Sequence, residues 1–108
     1  MENISFEDFK KLDIRIGEVL NVEKVENADK LLKLEVDFGE FKRQIISGIA
    51  DWFSPEDLAG KKLPFIVNLE PRKFRGLESQ GMLVAVDGKD GPILLEPQGE
   101  VRAGDKVV

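Results

Sequence analysis

The segment LLKLEVDF, residues 31–38, alternates from Leu32 onward. Leu32, Leu34, Val36 and Phe38 fall on one parity, with Lys33, Glu35 and Asp37 on the other. A period of two is the mark of a strand with one buried and one wet face. Gly39-Glu40 follows and fits a two-residue type II′ turn, with FKRQIIS (41–47) returning as the partner strand. In that register Asp37 stands opposite Lys42, a favourable cross-strand pair, and Arg43 falls on the core parity beside Val36. Two explanations of Arg43 stay open: an open end of the sheet, or a longer turn.

Around this hairpin the chain reads as more strands. Ser5 caps a short helix in FEDFKKL, with acids in its first turn and Phe6, Phe9 and Leu12 toward the body. DIRIGEVLNVEKV (13–25) is a long Ile- and Val-rich strand in which Gly17 marks a bulge or bend. Its apolar residues then occupy both parities, as in a strand that curls to serve two sheets. ENAD (26–29) is a turn cluster. Trp52 and Phe53 read as core or interface residues. Ser54-Pro55-Glu56-Asp57 opens a short helix closed by Gly60, LPFIVNL (63–69) is a fourth strand, and GMLVAVD (81–87) is a fifth. A glycine-rich turn, a short PILLEP strand and GDKVV complete the chain.

Three strands, a short helix and two more strands, with a bent glycine-containing first strand, spell an all-β five-stranded Greek-key barrel of the OB-fold type. An N-terminal helix and extra C-terminal strands flank it. A small β-sandwich is the rival, but the helix placement and the length of 108 residues favour the barrel and a single domain, 1–108.

Composition narrows the function. The apolar fraction of 42% and charged fraction of 34% are those of a globular chain. No apolar run approaches the roughly 20 residues of a membrane span, and the N-terminus lacks a signal-peptide pattern. With no Cys and no His there is no thiolate metal site, no disulfide and no imidazole base. No calcium-loop pattern is present either. We therefore expect a cytoplasmic, non-catalytic binding protein without cofactor or metal.

The formal charge of −5 is unevenly spread. Residues 1–40 hold 6 basic and 11 acidic groups, residues 41–82 hold 7 and 5, and residues 83–108 hold 3 and 5. Only the middle is positive, and NLEPRKFRGLESQGM (68–82) supplies much of that. Local field decides where a polyanion docks. OB-folds hold ligands on strands two and three, flanked by the loops joining strands 1–2 and 4–5. Those loops are ENAD, ending at Lys30, and EPRKFRGLESQ (70–80). Arg72, Lys73 and Arg75 suit phosphates. Asn68, Ser79 and Gln80 offer polar contacts to ribose or base edges. Gly76 and Gly81 permit close backbone approach. Phe74 reads as packing inward, and Met82 as partly exposed. With aromatics at 7% and no alternating aromatic strand face, recognition of a folded RNA by shape is favoured over single-strand stacking.

The runs D-I-R-I-G-x-V (13–19), E-N-A-D-K-L (26–31), S-G-I (47–49), P-E-D-L (55–58) and N-L-E-P-R-K-F-R-G-L-E-S-Q-G-M-L (68–83) resemble the tRNA-binding domain family. This OB-fold module occurs on methionyl-tRNA synthetases, in free-standing tRNA-binding proteins and in synthetase-associated cytokine-like factors. A chaperone-like branch of the same fold looks different around the 4–5 loop, where S-Q-G-M-L sides with the tRNA-binding branch. The resemblance implies tRNA binding without strong sequence preference, as a free-standing homodimer or a synthetase appendage, with no DNA or membrane partner. It carries over Asn68, Lys73, Arg75, Ser79 and Met82 as RNA contacts, with Lys30, Arg43 and Ser47 on the neighbouring face. The alternative is an export-related, chaperone-like peptide binder.

Overall fold

A computed structural model describes all 108 residues. Its elements are α1 (Phe6–Lys10), β1 (Ile14–Val25), β2 (Ala28–Asp37), β3 (Lys42–Ser47), α2 (Pro55–Leu58), β4 (Lys62–Ile66), β5 (Arg72–Phe74), β6 (Leu77–Ser79), β7 (Met82–Leu83), β8 (Ala85–Gly88) and β9 (Gly91–Leu94). The main sheet runs β3-β2-β1-β4-β7, with β5-β6 and β8-β9 as separate hairpins. β1 is the hub. Its first part, Ile14–Glu18, pairs with β4, and Glu18–Val25 pairs with β2. One strand thus serves two neighbours, and the sheet rolls into a barrel as the strand order implied.

The alternating segment behaves as its period requires. Leu32, Leu34, Val36 and Phe38 are buried in one cluster with Val19, Ile45, Leu58, Leu63 and Phe65. The Phe38 ring meets Phe65 edge-on at 5.6 Å and stacks on Phe41 at 5.3 Å. The β2–β3 register is the expected one, Asp37 opposite Lys42 and Val36 opposite Arg43. The ion pair itself does not form: the Asp37 carboxylate instead accepts the Gly39 N–H at 2.8 Å, tightening the turn. Arg43 resolves its parity conflict by lying half-buried over the Phe41 ring, 4.9 Å from the centroid. At α2 the Asp57 carboxylate accepts the Ser54 N–H, closing the cap.

Four expectations need correction. Gly17 is not at a bulge: its pairing with Leu63 is regular, and the irregularities fall later, between Val19 and Asn21 and between Lys24 and Val25. The glycine is required because a Cβ there would meet Val36 and stand 2.6 Å from Phe38 Cε1. ENAD is a two-residue turn, with Ala28 already paired to Val25. The fifth strand is broken at Val84, whose N–H bonds to the Pro64 carbonyl. Finally, α1 buries nothing: Phe6 is 71% exposed, and Phe9 and Leu12 are exposed as well. Of the pair before α2, Phe53 packs on the core, while Trp52 stays 51% exposed and donates its indole N–H to the Asp90 carbonyl.

Both side chains facing Gly17 are fully buried, so an added methyl finds no flexible end to displace. We expect Gly17→Ala to cost about 2–3 kcal/mol and lower Tm by roughly 10 °C in a thermal melt. An unchanged Tm would place the packing elsewhere.

Candidate nucleic-acid interface

The 4–5 connection is not the irregular loop its Pro, Gly and charges imply. Residues 72–79 form a hairpin with Arg72 opposite Ser79, Lys73 opposite Glu78 and Phe74 opposite Leu77. Arg75 (φ 53°) and Gly76 (φ 82°) make its two-residue tip. Positive φ at both positions is the type I′ turn, which matches the strand twist but favours Asn or Asp before the Gly. An Arg there costs roughly 1 kcal/mol.

Only one other non-glycine residue has a positive φ, Asn27 (61°) in the β1–β2 turn. The two turns border one cleft of about 620 Å³, lined among others by Asn27, Asp29, Lys30, Lys73, Phe74 and Arg75. The backbone accepts its two disfavoured conformations on opposite sides of a single concavity. It is the junction of the 1–2 and 4–5 connections that this barrel type uses for ligands.

The hairpin is anchored at its root. Ser79 is 3% exposed, and its hydroxyl accepts the Ile46 N–H and donates to the Gly81 carbonyl, both at 3.0 Å. Gln80 N–H donates to the Gln44 carbonyl at 2.8 Å, and Gln80 Oε1 accepts the Gln44 N–H at 3.0 Å. Gln44 Nε2 reaches the Glu78 carbonyl at 2.9 Å. At Gly81 a Cβ would come 2.7 Å from the Ile66 carbonyl oxygen, so the chain passes this point only as glycine. Ser79 and Gln80 therefore bond the hairpin to β3: the Ser79 hydroxyl is buried and engaged on both sides, and Gln80 Oε1 is taken by the Gln44 N–H.

Asn68 is likewise engaged. It donates to the Lys11 carbonyl at 2.6 Å and accepts the Asp13 N–H at 2.8 Å, tying the segment after α1 to the end of β4. Lys30, Lys73 and Arg75 come together at the cleft, and Arg72 lies over the Phe74 ring at 5.0 Å. Ser47 pairs with Leu32 at the same end of the sheet. Met82, 44% exposed, borders a slot of about 50 Å³ beside the hairpin, together with Leu69 and Phe74. Arg43 is apart from these, four residues and about 13 Å down β3 from Ser47. It lines a second groove of about 390 Å³ along β1–β3, with Glu23, Lys33 and Lys42.

The two concavities differ in charge balance: three cations and Asp29 line the cleft, and three cations with Glu23 and Glu35 line the groove. The ion pairs of the molecule are Lys11–Asp8, Arg15–Asp13, Lys33–Glu23 and Lys61–Glu96. In the β1–β3 groove the hydrogen bond from Lys33 holds the Glu23 carboxyl below its ordinary value, so that lysine is already compensated. Arg15 does the same for Asp13, away from either concavity. Lys30, Arg72, Lys73 and Arg75 enter none of these pairs. The residues that sequence reasoning passed over, Asn27, Asp29 and Leu31, carry one legible signal: an Asn in a turn cluster tolerates positive φ.

Comparison with known proteins identifies the family and the fold. The tRNA binding domain family model matches residues 14–106. Methionine–tRNA ligase of Archaeoglobus fulgidus is 51% identical over 106 residues, covering 98% of this chain and 16% of the ligase. That of Porphyromonas gingivalis is 51% identical over 107 residues, with the same coverage. The chain thus spans about one-sixth of these relatives. Among solved structures, the MetRS related protein from Pyrococcus horikoshii superposes with a TM-score of 0.94 at 45% identity, over 100% of both chains. Chaperone CsaA from Bacillus anthracis gives 0.88 at 33% identity, over 99% and 100%. The chain belongs to the tRNA-binding domain family.

Proposed function

We propose that this chain binds tRNA at the cleft between the β1–β2 turn and the β5–β6 hairpin, holding phosphates with Lys30, Arg72, Lys73 and Arg75. The carrying observation is that Lys30, Lys73 and Arg75, in an acidic chain, line one cleft beside two adjoining turns, with Arg72 next to them on β5, and none of the four enters an ion pair. A folded RNA brings phosphates from more than one segment to such a surface, so shape outranks base sequence. Ser47 and Met82 flank the contact, and Arg43 extends it along β3. Asn68, Ser79 and Gln80 hold the elements that carry it.

The same reading makes the chain a homodimer in the cytoplasm, working as part of a methionyl-tRNA synthetase or beside one and raising the local tRNA concentration. The support for a dimer is α1. A five-residue helix is not self-sustaining in water, its cap contributes about 1 kcal/mol, and Phe6 and Phe9 find no cover within the chain. A second copy supplies it.

A peptide-binding reading draws on the likeness to CsaA and on a groove of about 660 Å³ bordered by Ile16, Pro64, Leu95, Pro97 and Val107. It differs in salt dependence, because apolar contacts release no counterions.

In a titration of bulk tRNA at 50 and 200 mM salt, four phosphate contacts give a log–log slope of about −3 to −4. Replacing Arg72, Lys73 and Arg75 by Ala together lowers affinity alike for all tRNAs and flattens the slope by about 2–3. Parental affinity in the triple variant rejects the assignment. Sedimentation of the same complex yields two chains per particle, and one chain removes the dimer. Arg75→Asn separates fold from function: the relieved turn adds about 0.5–1 kcal/mol to stability, while tRNA affinity falls several-fold. A loss of stability, or unaltered affinity, contradicts the role given to Arg75.

A further inference from the structure

Phe74 is the large aromatic of the hairpin, and the core does not claim it. It is half-buried, lies outside the core cluster and its partly buried neighbours, and borders both the 620 Å³ cleft and the small slot beside Met82. This departs from the inward packing expected for it. The Arg72 guanidinium lies over one face of its ring, 5.0 Å from the centroid. Phosphate binding alone needs neither an aromatic wall nor the apolar Leu31 beside it. Asp29 points the same way. A carboxylate in the lining repels a phosphate but accepts hydrogen bonds from a ribose hydroxyl or an exocyclic amine. Cations, a carboxylate, an amide and an apolar wall within one cleft match the groups of a whole nucleotide, and the volume lies in the range of small-ligand sites.

We propose that the cleft receives one unstacked nucleotide of the bound RNA. The base lies against Phe74 and Leu31, its flanking phosphates meet Lys30, Lys73 and Arg75, and Asp29 and Asn27 face its polar edge or 2′-hydroxyl. This rests on the RNA-binding reading above and adds to it a requirement on the RNA. Pulling a base from a stack costs a few kcal/mol and least where the nucleotide is already unpaired. A smooth helix therefore fills the phosphate contacts and leaves the cleft empty, whereas a bulged one fills both.

The test uses the full chain and two RNA hairpins, one fully paired and one identical except for a single bulged 2-aminopurine, with bulk tRNA as reference. The bulged hairpin binds roughly tenfold tighter, the gain of one base–aromatic stack after the cost of ordering it. Its 2-aminopurine emission is quenched on binding. Phe74→Leu brings the bulged hairpin down to the affinity of the paired one, while Phe74→Trp keeps both preference and quenching. If bulk tRNA binds but the hairpins bind alike and emission does not change, the nucleotide site is wrong and the tRNA reading stands. Preference retained in Phe74→Leu also overturns it. Failure to bind bulk tRNA at low salt removes both readings.

Discussion

The site depends on how β3 ends the sheet. An edge strand leaves backbone N–H groups without a ladder partner, and here two of them, on Gln44 and Ile46, are satisfied by the side chains of Gln80 and Ser79. Ile46 is buried, so an unmet N–H there would cost about 1–3 kcal/mol. Side chains thus stand in for a ladder partner where the chain leaves β6, beside one backbone bond from the Gln80 N–H to the Gln44 carbonyl. The hairpin inherits its direction from this joint. Its tip is thereby carried to the β1–β2 turn, and the cleft exists because both turns are held at the same end of the barrel.

Electrostatics then decides which concavity takes a polyanion. Exposed like charges within a Debye length repel weakly, so Lys30, Lys73 and Arg75 share the cleft at small cost to the fold, a cost that a bound phosphate reverses. The β1–β3 groove holds Lys42 and Arg43 without ion pairs as well, but it also carries Glu23 and Glu35, and Lys33 is paired with Glu23 there. Net acidity over the rest of the surface centres the contact on the cleft, with Arg43 as its extension along β3. A positive φ at Arg75 adds a local cost whose return is the position of a guanidinium over the cleft.

Most of the barrel was legible in the sequence, and the reasons are particular. The alternation of residues 32–38 and the two-residue turn set the β2–β3 register to the residue. Ser54-Pro55 marked α2. The basic loop was visible as the positive third of the chain and as family motif. What sequence reasoning missed depends on tertiary contacts. Strands of three residues joined by Arg-Gly carry too little pattern to announce a hairpin in 70–80. Gly17 looks like a bulge, but the reason for the glycine is the side chains of β2 that lie against it. Phe6 and Phe9 have the spacing of a buried face with nothing in the chain to bury them. Ser79 has the residue type of a ligand contact, and only its burial reveals that β3 has taken it.

The direct measurement is a backbone amide map of the isotope-labelled chain titrated with tRNA at low salt. We expect the largest shifts or broadening on residues 27–31 and 72–78, smaller ones at Arg43, and none centred on the β2–β3 turn at residues 39–41 at the other end of the barrel. Perturbation centred on that turn, or on the groove by Leu95 and Val107, would contradict this.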